Sequence, residues 1–403
     1  MAVAERVLVV GAGIAGLAAA IALGQAGIEV DVLEIKDEVS ADGTGIQQPT
    51  NAIRALAALG VLDAILDEGF HWNHMQFFHQ SGELLRRLDH ASPLPEYPAG
   101  NGILRPRLHA ILAEAASRAG ARLRPGTTFA KLEPGPDSVA VELSDGSRHR
   151  YDLVVGADGI NSKVRQQIFG LELGPKFTGE MVWRCNVPRL EEIDCVSIYA
   201  TLGARAGLIP IASEMMYIFL IESPREGELR IPDERLHEAF REHLAGWGGP
   251  IAEVRDRFLG DAKHTIYYRP LESLMLTPDW YRNRVVIIGD AAHAMTPHLG
   301  QGAAQAIEDA IVLARLLAIS TGTIEDAMAA FMKRRHDRCK FVLDASLQIG
   351  RWEIDRASDG DFVGVQAQVA EMTEKPFLDD LLSDVEAPSD ERRLPRRGDR
   401  RDA

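Results

Sequence analysis

This 403-residue chain has little cysteine, few aromatics, a deficit of positive charge and no long apolar run. Its three cysteines, Cys185, Cys195 and Cys339, form an odd set without metal-ligand spacing, which excludes a disulfide scaffold and fits a reducing compartment. A net charge of −15 argues against a nucleic-acid surface, although one local arginine still suffices for a small anion. Residues 7–23 are uncharged and follow Arg6, the pattern of a signal peptide or a membrane span. Three glycines near the start of that run, and alanine in much of the rest, weaken both readings. No other stretch approaches about 20 apolar residues, so a cytoplasmic protein is expected. At 46% hydrophobic the chain has material for two domains. No internal repeat is present.

What the sequence does contain is concentrated in three stretches. Residues 7–10 are a β-branched and leucine run, as expected for a strand buried on both faces. Gly11, Gly13 and Gly16 follow as G-x-G-x-x-G, and residues 17–23 read as an apolar helix. The first glycine permits a tight turn, the second a close approach of backbone to pyrophosphate, and the third close helix–strand packing. Phosphates would sit on the helix N-terminus beside Ile14 and Ala15. A second strand, residues 29–33, ends at Glu34, placed to accept from a ribose diol. This fingerprint does not separate FAD from NAD. The second stretch, 152–165 (DLVVGADGINSKVR), and the third, 285–310 (VVIIGDAAHAMTPHLGQGAAQAIEDA), follow at intervals of roughly 150 and 130 residues.

Several of these residues have a chemical reading of their own. Asp290 ends a strand of parallel type, where open α/β sheets bind ligands, and it can accept from a ligand's hydroxyls, cap the next helix, or do both. The helix start at Gly300–Gly302 offers backbone N–H groups and a positive dipole end, which favour an anionic group. Pro297 stiffens the approach to that helix start or is an ordinary turn proline. Asp158 reads as a cap or as part of the cofactor surroundings, and Arg165 and Ser162 as functional or first-turn helix residues. His298 is either an imidazole base or part of the loop's structure. Histidines 71, 74 and 79 lack a carboxylate or cysteine in register, so no metal is expected.

The whole set resembles the single-component, group A FAD monooxygenases of the p-hydroxybenzoate and salicylate hydroxylase type. Asp158, Gly159, Ser162 and Arg165 match the family's Asp-Gly motif, and Val285 to Asp290 its Gly-Asp strand. Pro297 and Gly300-Gln301-Gly302 match the loop that cradles the flavin. Arg105 and Leu108 match an R-x-x-L helix start, and residues 45–56 (GIQQPTNAIRAL), with Gln47, match a further family segment. Ala303-Ala304 is closer to the salicylate-hydroxylase branch. Ile35 departs from the basic residue that many relatives carry after the acid at Glu34. The resemblance covers about residues 5–350.

That resemblance implies an α/β fold: a Rossmann-like FAD-binding domain, an inserted, mostly antiparallel substrate sheet and a C-terminal helix. The FAD domain is expected in three pieces, 1–72, 101–175 and 276–350, with 73–100 and 176–275 forming the substrate domain. Strands are expected at 75–78, 195–202, 208–211 and 216–221, and a long helix over 321–353 ends the fold. Residues 351–403 are expected as an extension, disordered from about 377, with six arginines in 392–401 read as a solvated end. The implied reaction uses NADH or NADPH and O2: FAD is reduced, forms a C4a-hydroperoxide and hydroxylates a small polar aromatic or N-heteroaromatic ring. A positive residue facing the flavin would hold a substrate carboxylate or carbonyl. Arg205 and Tyr217 are the first candidates, against an exposed loop arginine and a core tyrosine. Arg184 is the second, against a Trp183–Arg184 cation–π surface pair. The low aromatic content weighs against a lipid substrate. A monomer or homodimer is expected, with no nucleic-acid or membrane partner. The alternatives are an epoxidase or reductase of a larger substrate, and a flavin-binding regulator that does not turn over.

Overall fold

The computed structural model describes residues 2–374 except 93, 171, 261, 262 and 278. The expected disordered tail from about 377, with its arginines, lies outside the described residues. Strand Arg6–Val10 sits inside a six-stranded sheet, flanked by Leu153–Gly156 and Glu29–Leu33. Val7 pairs with Leu153 on one side and Val30 on the other, both in parallel. Val285–Ile287 and Arg122–Arg124 extend the sheet, and only the edge pair Tyr281–Arg282 is antiparallel. Val7, Leu8 and Val9 are fully buried, as required of strands covered on both faces. The 7–23 run is thus strand, turn and the Ile14–Gln25 helix, not a membrane span. Among the described residues no helix is long and apolar enough to cross a membrane.

A second sheet has seven strands, in the order Ile266–Ser273, Lys176–Pro188, Met215–Glu222, Ala204–Ala212, Val196–Ala200, His74–His79 and Leu84–Asp89. All neighbours are antiparallel except Val196–Ala200 with His74–His79. The four expected strands are among these seven. Lys176–Pro188 was not anticipated, because Arg184, Asn186 and Thr178 break its apolar pattern. Those interruptions are polar residues on one face of the sheet. The other face carries Trp183, Cys185, Ile218, Leu220 and Leu208 into a core closed by helices Leu236–His243 and Gly249–Arg257. There Trp183 stacks on Phe240 at 5.0 Å, so Trp183 and Arg184 point to opposite faces and form no surface pair.

The fold does not end at the long helix, observed as Ile324–Ile354. A further helix, Phe362–Glu374, packs back against it, and its Gln366 reaches the cavity described below. Residues 362–374 therefore belong to the body of the fold and are not a loose extension. The three histidines of 71–79 do not converge: His79 bonds Ser81, while His74 stands 3.8 Å from Asp194 and near Cys195, a carboxylate and a cysteine that the spacing around the histidines did not reveal.

Candidate active site

A cavity of about 320 Å³ lies between the carboxyl edge of the parallel sheet and the polar face of the seven-stranded sheet. Its floor comes from the Gly-rich turn. A Cβ on Gly16 would sit 1.9 Å from the Gly11 carbonyl oxygen, and Gly11 itself has φ +101° with Ala157 backbone against it. These two glycines make the turn and do not face the cavity. Gly13 does line it, and a Cβ there would meet nothing within 4 Å, which leaves open the approach a pyrophosphate needs. Glu34 braces the turn, accepting from the Ala12 and Lys36 backbone N–H groups at 3.0 Å each.

Ile14, Ala15, Gln47, Arg105, Asp290 and Pro297 line the same cavity, as do Gly300, Gly302 and Ala303. Gly300 has φ +64°, and the Gln47 side chain occupies the space a Cβ would fill. The side chains of Arg105 and Asp290 have no hydrogen-bond or ion-pair partner among the described residues, and desolvation within the cavity pushes the Asp290 carboxyl above its ordinary value. A free guanidinium, a free carboxylate, an open glycine and the N-terminus of helix Gly302–Ile319 make a donor and acceptor set that fits FAD.

Three expected contacts are placed otherwise. Glu34 does not line the cavity, its carboxylate being turned to the backbone of the Gly-rich turn and of Lys36. The Asp158 carboxylate accepts from Ser162 Oγ and from the backbone of Lys163 and Val164, capping helix Lys163–Phe169, and only Ala157 and Gly159 beside it reach the cavity. Gln301 points away, its Oε1 accepting from Asn51 at 3.0 Å, because its position at the helix start turns it into the core. Ser162 is the N-cap of that same helix, and Arg165 is fully buried and bonds the carbonyls of Leu173, Ala291 and Ile160. Both are fold residues.

What holds the flavin loop in place was not visible in the sequence. Glu308 accepts from Asn51, Arg335 and Arg338, while Asp309 accepts from Arg335, His293 and the Gly289 N–H. This buried network ties the Gly289–Asp290 turn and the Gly302–Ile319 helix to the long helix. Its one signal was a pair of acids in an otherwise apolar helix.

The roof is the seven-stranded sheet. Arg184, Arg205, Tyr217 and Phe219 line the cavity from neighbouring strands, with Ile198 and Ile209 between them. Gly207 leaves room for the Phe219 ring, which a Cβ would meet at 2.3 Å. Arg205 faces the cavity, but its guanidinium is engaged by Glu353 at 2.8 Å. Arg184 has no acid partner among the described residues, and burial lowers its pKa. Tyr217 lies close enough to feel Arg184, and burial pushes its phenol up to about 12, so it stays a hydrogen-bond donor. His298 is buried in the flavin loop, with Nδ1 2.9 Å from Thr296 Oγ1 and Nε2 3.3 and 3.4 Å from Glu180 and Glu353.

Residues 5–346 match the family model described as FAD binding domain. The chain is 36% identical over 356 residues to 2-heptyl-3-hydroxy-4(1H)-quinolone synthase of Pseudomonas aeruginosa, covering 86% of this chain and 90% of that one. It is 31% identical over 372 residues to 6-hydroxynicotinate 3-monooxygenase of Pseudomonas fluorescens, covering 85% and 90%. The Klebsiella pneumoniae HpxO structure with FAD and uric acid superposes with a TM-score of 0.77 at 25% identity, over 94% of this chain and 95% of that one. The chain belongs to the FAD-binding-domain family and is an FAD-dependent monooxygenase that uses NAD(P)H and O2.

Proposed function

We propose that this enzyme hydroxylates a small aromatic or N-heteroaromatic ring bearing an anionic oxygen or carboxylate, which Arg184 holds beneath the seven-stranded sheet. The observation that carries this reading is a half-buried arginine that lines the cavity, its Nε buried without a hydrogen-bond partner and its guanidinium without an acid partner among the described residues. A cation in that state is stabilised by an anionic ligand, and the fork of an arginine orients a carboxylate in two contacts. Tyr217 adds a neutral donor beside it, while Phe219, Ile198 and Ile209 give the ring an apolar seat that excludes water. Gly13, Arg105, Asp290 and the Gly300–Gly302 turn would hold FAD. When bound, FAD supplies the redox and oxygen-activating chemistry. The oxygen-bearing N-heteroaromatic compounds in the names of the two relatives and of the HpxO complex support the substrate class. Three free, buried cysteines support a reducing cytoplasm as its location. We read it as a monomer or homodimer, with residues 1–72, 101–175 and 276–350 as the nucleotide half.

The test is NADH and NADPH consumption by FAD-loaded protein against hydroxybenzoates, hydroxypyridines, aminophenols, hydroxyquinolines and purines, with product mass and peroxide measured together. An anionic ring is expected to speed consumption and gain one oxygen. Arg184→Met should raise its KM at least about tenfold, as loss of a charge-assisted contact predicts, and leave neutral rings little changed. Equal effects on anionic and neutral rings would remove Arg184 from the role.

A further inference from the structure

A second cavity, of about 190 Å³, lies behind the flavin loop, and Thr296 and His298 line both it and the first. The outer cavity is also lined by Glu180, Ser273 and Arg351, and it opens between the exposed Lys176 and Phe177. The wall between the two spaces is thus a hydroxyl, an imidazole and a carboxylate in series. Thr296 Oγ1 lies 2.9 Å from His298 Nδ1, and His298 Nε2 lies 3.3 Å from Glu180 Oε2.

We propose that Thr296, His298 and Glu180 form a proton path between the flavin cavity and the outer cavity. The proposal rests on the reading of the inner cavity as the flavin and substrate site. An imidazole suits this task because a proton taken at Nδ1 is matched by one released at Nε2, and only N–H and O–H bonds change. No oxidant or co-reactant is required.

Three further features fit a path better than a structural tie. Neither oxygen of Glu180 completes a hydrogen bond, although the residue is 1% exposed, an arrangement that costs the fold stability and is retained where the group has a task. Gly350 of the long helix provides the room: a Cβ there would lie 2.6 Å from Glu180 Oε2 and 3.3 Å from the His298 ring. Finally, the charges around His298 keep a proton available. They come from Glu180 on the sheet, Glu353 on the long helix and, through Glu353, Arg205, with Arg351 and Lys176 at the outer cavity. Burial opposes a charged imidazole, but the two carboxylates outweigh it and raise the His298 pKa. Burial raises Glu180, whereas Glu353, opposed by burial but beside Arg205, is held below its ordinary value. Arg205 and Glu353 act through His298 and are positioning residues.

The experiment needs no identified substrate. FAD-loaded protein is reduced with dithionite and mixed with oxygenated buffer, and the return of the oxidised flavin spectrum is followed in H2O and D2O. Forming peroxide from dioxygen takes two electrons and two protons; anionic reduced flavin provides both electrons and one proton, and the other comes through the protein. Glu180→Gln and Gly350→Ala, the latter displacing Glu180 with a better helix former, should keep their flavin and reoxidise about a hundredfold more slowly, the low end of what a proton-transfer group contributes. Formate, small enough for the outer cavity, should restore the rate in Glu180→Ala. A rescue of that kind, with a changed solvent isotope effect, is not produced by a merely structural residue. Wild-type rates and isotope effects in all three variants would overturn the path. Wild-type protein that binds no FAD would overturn the reading of the site, and the path with it.

Discussion

Two buried ionic clusters meet the same long helix, one through Arg335 and Arg338 and the other through Glu353, and differ in one respect. Around Glu308 and Asp309, all four carboxylate oxygens accept hydrogen bonds, from Asn51, His293, Gly289, Arg335 and Arg338. Around Glu180 and Glu353, no carboxylate oxygen completes one, although Arg205 and His298 lie within ion-pair distance. A saturated cluster has no capacity left for another group and acts as a clamp, here for the flavin loop. An unsaturated one between two cavities keeps sites free for a proton.

The contrast is most severely tested by breaking the saturated cluster. Glu308→Ala leaves Arg335 and Arg338 facing each other without that acid, and should destabilise the fold by about 3–5 kcal/mol, read from denaturant midpoints. A loss below 1 kcal/mol would show that the clamp is not tight. A reference for ordinary buried ion pairing is Asp31 in the parallel sheet. Burial alone would raise its carboxyl; hydrogen bonds from Arg122 and Tyr151, with Arg124 nearby, override that and lower it to about 2. A folded value below the unfolded one contributes stability that is full above about pH 4 and disappears as pH falls toward 2. Asp31→Asn should therefore cost about 2 kcal/mol at pH 7 and progressively less in acid, followed by melting from pH 7 to 2. The smallest effect belongs to the unsaturated cluster. Glu180→Gln should shift stability by less than about 1 kcal/mol in either direction, because no completed hydrogen bond is lost. A loss of the size expected for Glu308→Ala would make the two clusters alike and remove the contrast.

The nucleotide half was largely legible in the sequence. Strand Glu29–Leu33 has the bounds its apolar pattern implied, and Gly13 of the Gly-rich turn, Gln47, Arg105, Asp290, Pro297 and Gly300 all reach one cavity. Asp158 and Gln301 matched motifs equally well, yet their side chains cap a helix and brace the core. A motif records which residue stands where along the chain; side-chain direction depends on the neighbours folding brings. The substrate half was legible only in part. Arg205 and Tyr217 were placed on neighbouring strands facing the site, but the partner that engages Arg205, Glu353, comes from about 150 residues away. The preference therefore shifts to Arg184, whose strand was missed because Arg184, Asn186 and Thr178 break its apolar run.

By itself the sequence determined what depends on neighbours along the chain: the strand–turn–helix of the fingerprint, the glycines that the turn sterically requires, and the strand-end acids. Only the tertiary structure decided which arginine stays unpaired, which acids are saturated, and that His298 stands between two cavities. Those outcomes depend on charges and hydrogen bonds between residues far apart in sequence, whose strength is set by burial and by distances of a few ångströms.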